Sequence, residues 1–127
     1  MSKLQNSAEL TGRVLMAAIF VLAGAGKITA YAGTQQYMAA MGVPGALLPL
    51  VIALELGGGL LLVAGFQTRL IALALAGFSI ASAALFHSNL GDQTQFIMFF
   101  KNVAMAGGFL IIAANGPGAY SLDRRGN

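Results

Sequence analysis

Four long runs of apolar residues dominate the chain, separated by short polar stretches. They read "LTGRVLMAAIFVLAGAGKITAY" (residues 10–31), "ALLPLVIALELGGGLLLVAGF" (46–66), "LIALALAGFSIASAALFH" (70–87) and "FIMFFKNVAMAGGFLIIAAN" (96–115). Each is close to the roughly 20 residues that a helix needs to cross the hydrocarbon core of a bilayer. Apolar positions are continuous within each run rather than alternating, which favours helices over barrel strands. The pattern predicts an all-α, integral membrane four-helix bundle in one domain over residues 1–127.

The connections refine this picture. "QTR" between the second and third runs is short enough to make them an antiparallel pair. "SNLGDQTQ" joins the third to the fourth. The first link, "AGTQQYMAAMGVPG", predicts a short surface helix, "QQYMAAM", capped by Thr34 and ended by Gly42 and Pro44.

Composition agrees with a membrane protein. Hydrophobic residues make up 57% and charged residues 9%, against about 25% charged in a soluble domain. Mean hydropathy is +0.78. The net charge of +3 forms no basic stripe, so nucleic acid is not an expected partner. The absence of cysteine excludes disulfides and thiolate metal sites in the chain. Lys3, Arg13, Arg69, Arg124 and Arg125 fall on one side of the spans, which places both termini in the cytoplasm by the positive-inside rule. The N-terminus has some features of a cleaved signal peptide, but Glu9 and Lys27 fit that poorly, and the mature chain is expected to begin at or near Met1.

Under this topology, Lys27, Glu55, His87 and Lys101, on four different helices, share the outer half of the bilayer, with Asn102 beside Lys101. Helical spacing puts Arg13, Ala17, Phe20, Gly24 and Lys27 on one face of the first span. It puts Leu48, Glu55, Gly58, Gly59 and Leu62 on one face of the second, and Lys101, Met105, Gly108 and Ile112 on one face of the fourth. Small residues mark close helix contacts in membranes. Gly24, Gly58, Gly59 and Gly108 are therefore the expected packing positions, and the charges on those faces point inward. A lone charge at mid-helix costs roughly 2.5–3.5 kcal/mol on insertion scales, so Glu55 requires a cation, Lys27 or Lys101. Two readings of the cluster stand side by side: an ion pair that fixes helix register, or a pocket for a ligand. With two lysines against one carboxylate, the pocket reading implies spare positive charge. One histidine and one glutamate do not make a metal site, and no catalytic or redox centre is contained in the chain.

The segments "GRVLMAAIFVLAGAGKI", "YMAAMGVPG", "ELGGGLLLVAGF", "FH", "KNVAMAGG" and "GPGAYSLD" together resemble, in order, the motifs of the DoxX family from Gly12 to Asp123. The family pattern falls on Lys27, Glu55, Gly57, Gly58, His87, Lys101, Asn102 and Gly108. The resemblance implies a multi-pass protein of the bacterial cytoplasmic (inner) membrane. Relatives among quinol oxidase and thiosulfate:quinone oxidoreductase subunits imply a role in membrane redox metabolism. That role would be as an accessory or small-molecule-binding component, with a quinone-like or phenolic ligand and a membrane redox partner subunit. A small transporter or permeability factor, and a structural subunit of a membrane complex, are the alternatives.

Overall fold

The computed structural model describes residues 2–125; Met1, Gly126 and Asn127 lie outside the described residues. Helix α1 (Lys3–Thr29) starts well before the apolar run because the Ser2 hydroxyl accepts from the Gln5 amide at 3.0 Å, a side-chain N-cap. The chain turns at Ala30 straight into α2 (Tyr31–Ala40). Thr34 does not cap this helix, contrary to the sequence expectation. Its hydroxyl donates back to the Ala30 carbonyl at 2.8 Å, one turn behind, so it sits inside the helix. Gly42, at φ +80°, then reverses the chain towards Pro44.

Helix α3 (Gly45–Ala64) is not uniform. It opens with a 3₁₀ turn, Gly45–Leu47. Pro49 falls in the first α turn, where a missing N–H costs nothing. Ala53–Gly57 form a π turn around Glu55. The helix ends at Gly65, in the left-handed region at φ +73°. Helix α4 (Thr68–Phe86) follows, then α5 (Gln93–Asn115), whose N-cap Asp92 accepts from the Thr94 and Gln95 amides. Gly116 and Gly118 turn the chain into the short α6 (Leu122–Arg125).

Helices α1, α3, α4 and α5 are long and apolar enough to cross a membrane. They run alternately up and down: α1 packs along α3, α4 packs along α5, and α1 touches α5 only sparsely. Ala17, Phe20, Leu62, Leu75, Ala76 and Phe109 form the core. Leu22, Leu50, Leu70 and Ile111 are largely exposed, at 72%, 67%, 65% and 63%. Side chains this apolar facing outward on every long helix suit a lipid surround, where they cost nothing.

Candidate functional site

Two faces follow the sequence pattern residue for residue. The buried positions of α1 are Arg13, Ala17, Phe20 and Gly24, with Lys27 half-buried one turn on. Those of α3 are Leu48, Glu55, Gly58, Gly59 and Leu62. Glycine sets how closely the two helices approach. A Cβ on Gly24 would lie 2.8 Å from the Leu56 backbone nitrogen, and one on Gly59 would lie 3.1 Å from that of Val21. Gly58 faces Ile71 and Leu75 of α4, and Gly108 faces Met16 of α1.

This approach carries Lys27 onto Glu55. Lys27 Nζ lies 2.7 Å from Glu55 Oε1, with the carboxylate side chain 5% exposed and the lysine 29%. The contact compensates the oxygen by charge and proximity rather than by good hydrogen-bond geometry. Apart from Lys27, no donor among the described residues reaches the carboxylate. Such π turns recur at functional positions in helices. Here one widens α3 at the level where Glu55 must face α1.

The pair forms the polar wall of a cavity of about 350 Å³ enclosed by α1, α2, α3 and α4. Val51, Leu47 and Phe78 make its apolar floor, and Thr34, Ser82 and His87 add polar groups. Tyr37 of α2 and Phe86 of α4 stack at 5.6 Å with their rings 21° apart, and both line the space. His87 Nδ1 lies 3.1 Å from Gln95 Oε1. With the amide oxygen accepting, that nitrogen carries the proton and Nε2 is left as an acceptor.

Of the residues expected at the site, the fold brings Lys27, Glu55 and His87 around one space and leaves two outside it. Lys101 is exposed and Asn102 half-buried, and neither lines the cavity. The buried face of α5 runs through Ala106 and Phe109, so Lys101 is turned off it. The polar wall therefore carries one ammonium against one carboxylate, without the surplus positive charge the sequence suggested. Tyr37, Phe78 and Phe86 were not singled out by sequence. Tyr37 comes from α2 and the two phenylalanines from α4, and only the fold joins them. Among the described residues no group of three His, Cys, Asp or Glu could hold a metal ion.

The opposite end of the bundle holds a different arrangement. Arg13, only 2% exposed, donates from Nε to the Leu62 carbonyl at 2.7 Å and from Nη2 to those of Tyr120 at 2.8 Å and Val63 at 3.2 Å; Nη1 donates to Pro117. Asp123 accepts from the Gln67 and Thr68 amides at 2.8 and 2.9 Å, capping α4. Burial works to raise the Asp123 carboxyl, but the amide hydrogen bonds from Thr68 and Gln67 and the charge of Arg13 outweigh it and hold the carboxyl below its ordinary value.

Comparison with known proteins places this architecture. Residues 8–88 match the DoxX family. The chain is 57% identical over 124 residues to inner membrane protein YqjF of Escherichia coli strain K12, covering 98% of this chain and 95% of that one. It is 39% identical over 123 residues to inner membrane protein YphA of the same strain, covering 91% and 88%. No solved structure matches it. Four apolar helices, a family match over most of the chain and two such relatives lead to one statement: the chain belongs to the DoxX family and is a multi-pass protein of the bacterial inner membrane.

Proposed function

We propose that the chain binds a small uncharged aromatic molecule bearing oxygen, quinone-like or phenolic, as an accessory component of membrane redox metabolism. The observation that carries this reading is the Lys27–Glu55 pair set into the wall of an aromatic-lined cavity of about 350 Å³, within the usual range for small-molecule sites. A charge-balanced wall suits a neutral ligand. Lys27 would donate to a ring carbonyl, or Glu55 would accept from a ring hydroxyl, while Phe78 and the Tyr37–Phe86 stack would hold the ring. Electron chemistry would come from the ligand or from a partner subunit.

The cavity would open to the outer face. Lys3, Arg13, Arg69 and Arg124 all lie towards the other end of the bundle, the cytoplasmic one by the positive-inside rule. A transport role has less support. Phe20, standing between the two ends of α1, is in edge contact with Phe78 and Phe109, and the core around it is apolar, so among the described residues no polar path joins them.

The test is titration of the purified protein in mild detergent with a short-chain ubiquinone and with its reduced form, read by thermal shift. Saturable stabilisation by either, lost in Glu55→Gln and retained in Lys101→Met, is expected. No shift with either ligand, or an undiminished shift in Glu55→Gln, would overturn the reading.

A further inference from the structure

A second cavity, of about 460 Å³, lies at the Arg13 end, between α1 and α5. This is the seam where those helices touch only sparsely. Its composition is graded. Gln5, Glu9 and Asn115 stand at one end, Arg13 lies one turn further in with its N–H groups turned to carbonyls, and Met16, Gly108 and Ile112 form apolar walls along the helices. Glu9 immediately precedes the apolar run of α1 and Asn115 ends that of α5. The polar end thus sits at headgroup level, and the apolar part runs into the hydrocarbon. Water would be poorly held along such walls; an acyl chain would not.

The charges at the mouth are specific. The Glu9 carboxylate accepts no hydrogen bond among the described residues, and its Oε1 is buried. Arg13 acts on it by charge but makes no hydrogen bond to it, four of its five N–H groups being committed to carbonyls. Arg69, exposed and immediately before the apolar run of α4, has no acceptor among the described residues. Both side chains abut the same glycine turn. Arg69 Nη2 lies 3.1 Å from where a Gly116 Cβ would be, and Glu9 Oε2 lies 2.8 Å from where a Gly118 Cβ would be. A carboxylate on the cavity wall and a guanidinium outside it, against the lining residue Gly116, therefore abut glycines two residues apart beside a groove fit for an acyl chain.

We infer that this seam is a binding site for a phospholipid with a primary-amine, zwitterionic headgroup, its ammonium on Glu9, its phosphate on Arg69 and one acyl chain between α1 and α5. The ammonium group has N–H donors for the unsatisfied carboxylate, and the phosphate forms a charge-assisted pair with the guanidinium. A trimethylated choline headgroup has no N–H to offer. An anionic headgroup brings like charge to Glu9.

Native mass spectrometry of the delipidated full chain tests this, with phosphatidylethanolamine, phosphatidylcholine and phosphatidylglycerol of identical acyl chains added singly. Phosphatidylethanolamine should bind about tenfold more tightly than phosphatidylcholine, the factor expected for one hydrogen bond to a charged group. Glu9→Gln should bring phosphatidylethanolamine down to the level of phosphatidylcholine. Arg69→Gln should weaken all three alike. Gly12→Leu places a side chain where nothing lies within 4 Å of the added Cβ, on the cavity wall, and should abolish all three adducts without disturbing the fold. Equal binding of the three lipids to the unaltered chain would overturn the inference. So would an ethanolamine preference that survives Glu9→Gln, or adducts that survive Gly12→Leu.

Discussion

Gly24 and Leu56 meet without a gap: a Cβ on Gly24 would lie 2.8 Å from both the Cβ and the backbone nitrogen of Leu56. Lys27 follows Gly24 by one turn and Glu55 precedes Leu56 by one residue. The contact between a glycine and a backbone thus fixes the distance at which the ion pair forms. Backbone atoms cannot move aside as a flexible side chain can, so Gly24→Ala must part α1 from α3. We expect a loss of about 1–3 kcal/mol, as for overpacked cores, read as a lower melting temperature in detergent. Gly26→Ala, two residues on and with nothing within 4 Å, should be neutral or stabilising by up to about 1 kcal/mol, the helix preference for alanine. Equal melting of the two variants would show that the helices do not pack on Gly24.

The ion pair itself is testable by exchange of partners. Glu55→Gln leaves Lys27 unpaired but 29% exposed. It should cost about 1–3 kcal/mol, below the 3–5 typical of a fully buried pair. Lys27→Met strands a carboxylate that is 5% exposed and should cost more. Combining the two should recover much of either loss. Lys101→Met combined with Glu55→Gln should recover nothing, because Lys101 does not face the pair. Rescue by Lys101→Met rather than Lys27→Met would contradict the arrangement described here.

The faces of α1 and α3 were legible in the sequence because polar residues and glycines recur there at helical spacing among bulky apolar ones. The face of α5 was legible only in part: Met105, Gly108 and Ile112 pack inward as their spacing suggested, but Lys101 does not. In lipid the outward side of a helix is as apolar as the inward side, and a lysine can reach the headgroups from a lipid-facing position, so its charge was a poor marker of rotation. The helix is turned so that Ala106 and Phe109 are buried instead. The cavity around Glu55 was also illegible in its walls. Tyr37 belongs to a segment that reads as a surface link, and only the fold stacks it on Phe86. Arg13 was visible as an isolated charge, but its partners are carbonyls, which carry no residue-type signal.

Asp123 gives the tail of the chain a dependence on acid. Its carboxyl titrates below the ordinary value of 3.8, with burial opposed and outweighed by the amide hydrogen bonds from Thr68 and Gln67. A depressed folded value means that the ionised form is the stabilising one. The contribution is complete above pH 3.8 and is lost as pH falls through the lower folded value. Asp123→Asn should therefore melt below the unaltered chain at neutral pH, and the gap should close as the medium is made acid. A gap of constant size across that range would remove the carboxylate charge from the account.

Arg13 should be the least replaceable side chain at its end of the bundle. Its guanidinium bonds to Leu62 and Val63 in the last turn of α3 and to Pro117 and Tyr120 after α5, so one side chain ties together three parts of the chain. A positive charge at a helix C-terminus is favourable in itself, and Glu9 and Asp123 supply nearby negative charge. Each buried carbonyl left without a donor costs about 1–3 kcal/mol. Arg13→Met, which strands several, should fall among the rare substitutions costing more than about 4 kcal/mol. Arg13→Lys keeps the charge, but a compact ammonium with three donors cannot span the same carbonyls. That variant should fold yet hold the 116–124 segment loosely, with faster tryptic cleavage at Arg124 than in the unaltered chain. An Arg13→Met variant that melts like the unaltered chain, or an Arg13→Lys variant with unchanged cleavage, would mean that the glycine turns and the Asp123 cap hold the tail without the guanidinium.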